Sequence, residues 1–201
     1  MGYSIVTIER EYASGGRDVG KVAAEMLGIP YYGHEILEIA AKRNHTSPEY
    51  LQNLEEGVTN SFLYSLIMMN SIQSGTDIGL SDTDKLHLAE SEVIADLAKQ
   101  GPCLIVGRCA GCVLADRKDV LRVFIHADRE ARKERAVHIY GVDPKKVDNV
   151  LKQYDKRRSN YYMANSGKRW DDPDEYHLIL DSGKLSIRAC AEIIVQAYKG
   201  Q

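Results

Sequence analysis

The most informative segment of the chain is Ile5-Val-Thr-Ile-Glu-Arg-Glu-Tyr-Ala-Ser-Gly-Gly-Arg-Asp-Val-Gly-Lys21. A short β-branched apolar run ends before a Gly-Gly pair, and an amphipathic stretch continues to Leu27. This pattern predicts a strand, a glycine turn and the start of a helix. Backbone N–H groups and the positive end of the helix dipole then point to one place, which suits a phosphate. The lysine and hydroxyl of the standard phosphate loop, G-x-x-x-x-G-K-[ST], are absent from the stretch.

The size and composition of the chain indicate one ordinary globular domain. It has 201 residues, of which 44% are hydrophobic and 27% are charged, and these fractions are near those of soluble globular proteins. A chain of this length buries a hydrophobic core without disulfides. Its net charge of −3 gives no general case for nucleic acid or an anionic membrane as a partner.

The four cysteines are too few for a disulfide framework in a chain of this size. Cys109 and Cys112 form a lone C-x-x-C without a second pair of metal ligands, so we expect reduced structural thiols. The sequence shows no basic-then-apolar leader and no apolar run of membrane-spanning length, and a cytoplasmic location is therefore the default expectation.

Short apolar strands alternate with longer amphipathic helices along the chain. The predicted strands are residues 4–8, 29–32, 103–106, 120–126 and 176–181. The predicted helices are residues 17–27, 34–43, 84–100, 128–140, 144–162 and 186–198. This alternation predicts an α/β fold with a parallel sheet wound right-handedly, whose ligand lies at the carboxyl edge of the strands.

Arginines follow three of the predicted strand ends. Arg17 lies in the glycine loop, Arg108 follows Gly107, and Arg132 and Arg135 come one turn apart after the fourth strand. The planar fork of arginine matches a phosphate bidentately and stays charged, so arginines that converge on one sheet edge indicate an oxyanion ligand. Each arginine also has a structural alternative, because a lone Arg108 could pair with a helix and the others could lie on a solvated face.

Several short segments match one known family. They are Arg-Glu-Tyr-Ala-Ser-Gly-Gly-Arg17, Ile105-Val-Gly-Arg108, Val123-Phe-Ile-His-Ala127 followed by Arg132-x-x-Arg135, Asp155-Lys-Arg-Arg158 with Tyr161-Tyr162, and Trp170 with Leu180-Asp-Ser182. Through them nearly the whole chain resembles the cytidylate kinase-like family, a diverged branch of the nucleoside monophosphate kinases. The resemblance implies a three-layer P-loop NTPase-like α/β fold with about five parallel strands flanked by helices. It also implies a single domain, with its core at 1–43, 84–140 and 171–201, a helical insert at 44–83 and a lid at 141–170.

The resemblance further implies transfer of the ATP γ-phosphoryl to a nucleoside monophosphate, CMP or dCMP above all, with Mg²⁺. The residues matched to the binding of ATP are Ser14, Gly15, Gly16, Arg17, Asp18 and Arg135. Those matched to the acceptor are Arg108, Arg157 and Arg158, and the catalytic cations would be Arg17, Arg132 and Arg158. The metal ligand is left open between Asp18 and Ser14.

Three functions stay open at this point. A nucleoside monophosphate kinase is favoured, and a kinase for another small-molecule acceptor is the first alternative. The second alternative is a non-catalytic nucleotide-binding regulatory module, because Arg17 stands where the family has lysine and an arginine fork is not equivalent to a compact ammonium. The expected partner is a small-molecule phosphate acceptor, and the apolar stretch 62–69 leaves a homodimer open.

Overall fold

The computed structural model describes residues 2–43 and 82–200. Nearly all of the predicted insert, including the apolar stretch 62–69, lies outside the described residues. The strands are β1 (Ile5–Arg10), β2 (Tyr31–Tyr32), β3 (Cys103–Val106), β4 (Val120–His126) and β5 (Leu178–Asp181). The helices are α1 (Gly16–Leu27), α2 (Glu35–Arg43), α3 (Asp82–Gln100), α4 (Ala110–Val113), α5 (Arg129–His138), α6 (Val147–Ser166) and α7 (Ile187–Lys199), with a 3₁₀ turn at Pro173–Glu175.

The five strands form one sheet in the order β2-β3-β1-β4-β5, and every neighbouring pair is parallel. The first strand of the chain is therefore the central one. This topology confirms the predicted α/β fold of five parallel strands. Because the strands are parallel, their carboxyl ends all meet at the same edge of the sheet.

Helices cover both faces of the sheet and make three layers. Ile5 packs with Ile36 of α2 on one face, whereas Val6 packs with Val19 of α1 and Ile194 of α7 on the other. All of these side chains are fully buried. Successive residues of a strand point to opposite faces, so the β-branched run that opens the chain is a strand buried on both sides.

The structure moves two predicted boundaries that matter for the site. The apolar run ends at Ile8, but β1 continues because Glu9 and Arg10 pair with Phe124 and Ile125 of β4. The helix α6 also starts later than predicted, at Val147 instead of residue 144. There the carboxylate of Asp143 accepts the N–H of Lys145, and such a side-chain bond to the backbone favours a turn over a helix.

Two short elements, α4 and the 3₁₀ turn, were not predicted, because a single turn is too short to show a period. Among the described helices none is both long and apolar enough to cross a bilayer. All four cysteines are free thiols, as predicted.

Candidate functional site

The loop between β1 and α1, residues 11–15, is closed by its own serine and tied to the end of β5. Ser14 is fully buried, and its hydroxyl donates to the carbonyl of Glu11 at 2.9 Å. The hydroxyl of Ser182 donates to the carbonyl of Ser14 and, at 3.0 Å, to that of His126. The Ser14 hydroxyl is thus engaged inside the loop.

The amino end of α1 is open in a way that suits an anion. The helices α5 and α7 begin with side-chain caps from Asp128 and Ser186. By contrast α1 begins after Gly15, which is left-handed at φ 78° and supplies no side-chain cap. The first N–H groups of a helix have no acceptor within it, and here they point with the helix dipole toward the loop's mouth. The predicted phosphate loop therefore leaves the first N–H groups of α1 without a side-chain cap.

A cleft of about 260 Å³ opens beside this loop at the carboxyl edge of β1 and β3. Small-molecule pockets run from roughly 300 Å³ upward, so it suits a small ligand or part of a larger one. Five arginines line it: Arg10, Arg17, Arg108, Arg157 and Arg158. Tyrosines contribute the apolar wall: Tyr31, Tyr154, Tyr161 and Tyr162. Such a concentration of fixed positive charge against aromatic walls favours a ligand with several negative charges.

Arg10 is the member of this set that was missing from the predicted site. Its side chain runs across the floor of the cleft, since a Cβ on Gly107 would lie 2.1 Å from its Nη1 atom and a Cβ on Gly16 would lie 2.6 Å from its Cβ. Glycine at both positions thus makes room for this one arginine. Its place two residues after the apolar run of β1, at the sheet edge where ligands bind, is the signal that could have revealed it.

Backbone strain is concentrated around the cleft. Three non-glycine residues of the described chain have a left-handed backbone, Ala13, Arg108 and Cys109, with φ of 58°, 63° and 54°. All three lie where a strand ends, in the loops after β1 and β3. Residues are held in such conformations at a cost of about 1–3 kcal/mol each, and they cluster at functional sites. Together with Gly107 at φ 82°, the turn after β3 aims Arg108 into the cleft.

The helix α6 forms the wall opposite the sheet and supplies Arg157 and Arg158. Arg158 donates from Nη1 to the carbonyl of Arg10 at 2.9 Å, which fixes α6 against the end of β1. Aromatic rings support both guanidinium groups, with Arg157 5.4 Å from the ring of Tyr154 and Arg158 5.7 Å from the ring of Tyr12. These two arginines, predicted as acceptor-binding residues, therefore do lie in the cleft beside Arg17 and Arg108.

Arg132 does not line the cleft. Its side chain is 8% exposed and pairs with two carboxylates, Glu11 at 2.8 Å and Asp155. The same Asp155 accepts the N–H of Tyr12 at 2.8 Å. This ion-pair cluster joins the phosphate loop to α5 and α6, so the structure gives Arg132 a supporting place where the sequence predicted a catalytic one.

Arg135, the other arginine of α5, also lies outside the cleft lining but touches the phosphate loop. Its Nη1 atom donates to the carbonyl of Ala13 at 2.8 Å. A Cβ on Gly15 would lie 3.2 Å from its guanidinium carbon. Arg135 is thus next to the predicted ATP-binding loop, and its predicted contact with ATP stays a prediction.

Glu9 places a single carboxyl group in the cleft lining. Its side chain is 9% exposed and 3.7 Å from Nη1 of Arg10. Burial raises the pKa of this carboxyl above its ordinary value, and the positive charges of Arg10 and Arg158 oppose that rise. A carboxyl group that lines a cleft and is shielded in this way is a candidate proton acceptor.

The donor set of the site fits Mg²⁺ better than a more strongly coordinated metal. The described residues hold no cluster of three or more His, Cys, Asp or Glu that could bind a metal by itself. Mg²⁺ is commonly bound by one or two carboxylates together with substrate phosphates and water. Asp18, in the first turn of α1, is the carboxylate that could complete such a site once phosphates are bound.

The C-x-x-C pair has a packing role. Cys109 is buried, and burial raises its pKa well above the ordinary thiol value. Cys112 donates to the hydroxyl of Tyr162 at 3.0 Å, and its pKa is raised by burial as well. A raised pKa means little thiolate, the form that binds metals and attacks disulfides, which agrees with the predicted structural thiols.

Known proteins resemble this chain at the level of family and of fold. The model of the cytidylate kinase-like family matches residues 5–184. An uncharacterized protein from Eubacterium ventriosum has a similar structure, with 24% identity, a TM-score of 0.71, and coverage of 98% of this chain and 99% of that one. No curated protein matches the sequence significantly.

Kinases are among the other similar structures. Shikimate kinase from Acinetobacter baumannii shares 12% identity at a TM-score of 0.52, over 97% of this chain and 92% of its own. A gluconokinase from Sinorhizobium meliloti shares 17% identity at a TM-score of 0.52, over 99% of this chain and 94% of its own. At such identities the structures show a common fold, that of the P-loop kinases. The family match extends over most of the residues, and the chain belongs to the cytidylate kinase-like family.

Proposed function

We propose that this protein transfers the γ-phosphoryl group of ATP to a nucleoside monophosphate, with CMP or dCMP as the acceptor. The observation that carries the proposal is the convergence of five arginines from β1, α1, the turn after β3 and α6 on one cleft. A phosphate acceptor and the donor's terminal phosphates bring a high density of negative charge. Such a reaction asks the protein mainly for positioning and cationic charge around the transferred group.

The donor and the acceptor have separate parts of this site in our proposal. The N–H groups at Gly15–Arg17 cradle the donor's β-phosphate, and Arg17 reaches its β and γ oxygens in place of the usual lysine. Arg108 holds the acceptor's phosphate, while Arg157 and Arg158 close over the transferred group from α6 within the lid, residues 141–170. Arg135 keeps the phosphate loop in shape through Ala13, and Arg132 supports it through Glu11.

Mg²⁺ would lie between Asp18 and the donor phosphates, where it would neutralise charge on the leaving diphosphate. With a nucleoside monophosphate the attacking oxygen is already an anion. No side chain then has to remove a proton, and the arginines can supply the rest of the stabilisation by orienting both phosphates.

A kinase for an acceptor with a hydroxyl group is the second candidate, and Glu9 is the observation that favours it. This carboxyl lines the cleft, and burial raises its pKa. In that reaction the hydroxyl oxygen bonds to the γ-phosphorus, its proton passes to Glu9, and ADP leaves. The substitution Glu9→Gln separates the candidates, because it removes the proton acceptor and should slow only transfer to a hydroxyl.

The test is an acceptor panel with the purified full-length chain, ATP and Mg²⁺. The panel contains CMP, dCMP, UMP, AMP, GMP, shikimate and gluconate, with ADP release and product mass as readouts. We expect diphosphate formation from CMP or dCMP at the highest kcat/KM. ATP binding without a product from any acceptor would instead favour the regulatory module.

Two variants test the assignment of the arginines. Removal of one charge-stabilising donor typically lowers the rate about 10²- to 10³-fold, and we expect a loss of this order for Arg17→Ala and for Arg108→Ala. The matched control is Arg188→Ala, on α7, where the side chain is 77% exposed and pairs only with the surface residue Glu192 among the contacts described. Near-normal turnover in both cleft variants would contradict the assignment.

A further inference from the structure

A carboxylate that does not line the cleft is buried directly behind it. Glu90 lies in the middle of α3 and its side chain has 0% exposure. Burying a charged group is costly unless it is paired and hydrogen-bonded. A glutamate at such a position therefore needs a partner, and its partners indicate what it does.

Two cleft residues donate to Glu90. Nη1 of Arg108 lies 2.7 Å from its Oε1 atom, and the hydroxyl of Tyr161 donates to its Oε2 atom at 2.6 Å. Nδ1 of His87 lies 3.1 Å from the same hydroxyl. Glu90 thus connects three segments that are distant in sequence: α3, the turn after β3, and α6.

The bond from Tyr161 requires the phenol to keep its proton. Burial, followed by the negative charge of Glu90, raises the pKa of Tyr161 well above the ordinary value for tyrosine. The hydroxyl consequently stays a donor throughout the physiological range of pH. Both oxygens of Glu90 then act as acceptors, which is the arrangement an ionised carboxylate can satisfy.

The bond to Arg108 fixes the direction of its guanidinium. This group carries five N–H donors in a rigid planar fork, so a short bond at Nη1 sets the plane in which the remaining donors lie. The backbone of Arg108 is left-handed, a conformation that persists only when its surroundings hold it. The hydrogen bond to Glu90, behind the cleft, provides this restraint.

We propose that Glu90 is a positioning residue that orients Arg108 for the acceptor's phosphate, while the hydroxyl of Tyr161 braces the second oxygen of Glu90. This inference rests on the proposed function, since it assigns Arg108 to the acceptor. Glu90 itself touches neither substrate. Its effect on acceptor binding passes through Arg108.

The test is a double-mutant cycle on acceptor affinity, measured by calorimetry with CMP. The variants are Glu90→Gln, Arg108→Ala and the pair, with Glu92→Gln as the control because Glu92 is an exposed glutamate on the same helix. Glutamine has the shape of glutamate but offers Arg108 a neutral acceptor. A charge-assisted hydrogen bond is worth about twice a neutral one, so we expect roughly a 5- to 20-fold weaker Kd for CMP.

The decisive result is the effect of Glu90→Gln once Arg108 is alanine. We expect no further loss of CMP affinity there, and an unchanged Kd for ATP in every variant. A structural role would instead weaken CMP binding equally in both backgrounds, or weaken ATP binding too, and either result overturns the inference. If Glu90→Gln does not fold, Tyr161→Phe takes its place in the same cycle, because it withdraws the hydroxyl that braces Glu90.

A second probe separates this inference from the proposed function. If the wild-type chain does not bind CMP, the nucleoside monophosphate assignment fails, and the cycle is read with inorganic pyrophosphate as an anion probe. Coupling between Glu90 and Arg108 in pyrophosphate binding would still support the positioning role. Independent effects of the two substitutions on pyrophosphate, or no binding of either probe, would refute it.

Discussion

Arg132 offers a sharp test, because the sequence predicts a catalytic cation where the structure shows a support. Its guanidinium is 8% exposed and lies between Glu11, 25% exposed, and Asp155, 22% exposed. The substitution Arg132→Ala leaves these two carboxylates facing each other without their cation. We expect the protein to lose stability rather than the chemical step.

The size of the effect follows from the burial of the cluster. Removing one member of a buried ion pair costs about 3–5 kcal/mol, but water reaches part of both carboxylates here. We therefore expect the free energy of unfolding to fall by about 3 kcal/mol, the lower end of that range. In a chain of this length the corresponding fall in Tm is roughly 6–12 °C.

The assay combines urea unfolding with kinetics at a temperature where the variant is still folded. We expect a lower unfolding midpoint and a kcat within about tenfold of the wild type. The control Arg129→Ala, on the same helix, breaks the pair between Arg129, 68% exposed, and Asp148, 48% exposed, and it should leave the unfolding midpoint nearly unchanged. A wild-type unfolding midpoint with a kcat lowered about 100-fold would refute the supporting role and restore the catalytic one.

Three further predictions concern the loop, the acid limb of stability and the acceptor. Gly15→Ala should weaken ATP binding, measured by calorimetry, because the backbone there is left-handed at φ 78° and the new Cβ would lie 2.6 Å from Cδ1 of Ile187, which must shift; wild-type affinity would contradict the loop geometry. The hydrogen bond from Arg117 lowers the pKa of Asp119, so this pair adds stability above the unfolded-state pKa of about 3.9 and loses it as the pH falls below that value. Arg117→Ala should therefore reduce the fall in the free energy of unfolding at acidic pH, measured by urea unfolding. An unchanged dependence of this free energy on pH would count against the pair. Glu9→Gln should leave CMP phosphorylation within about tenfold of the wild type, since an anionic acceptor needs no base, and a loss of several hundredfold would favour a hydroxyl acceptor.

The order of strands and helices could be predicted because the local hydrophobic periodicity indicates each of them. Alternation of apolar runs with amphipathic stretches gives a parallel sheet, and the parallel sheet gives the edge where the ligand binds. Arg108 could be found this way, since it directly follows a buried strand. The glycine loop could be found for the same reason.

Arg10 escaped because strand length depends on a partner strand. Glu9 and Arg10 look like loop residues beyond β1 when only the apolar run is considered. Pairing with β4, however, extends the strand by two residues beyond Ile8. Local patterns contain no information on such pairing. The strand-end rule, applied at the observed end of β1, places Arg10 in the site.

The roles of Arg132 and Arg158 depend on contacts that no local pattern reveals. Both were predicted near the transferred phosphoryl, but the partner of Arg132 on α6, Asp155, lies 23 residues away, and Arg158 meets the carbonyl of Arg10 across 148 residues. Helical periodicity shows which residues share a face. It does not show whether that face meets a cleft or a pair of carboxylates.

We propose that the arginine-lined cleft transfers phosphoryl groups, and the fate of a labelled γ-phosphoryl group tests this proposal directly. The full-length chain is incubated with γ-labelled ATP, Mg²⁺ and CMP, and the label in CDP is counted for the wild type, Arg108→Ala and Arg188→Ala. We expect label in CDP for the wild type and Arg188→Ala, and about 10²-fold less for Arg108→Ala. No label in CDP, or equal labelling by all three proteins, would contradict the claim.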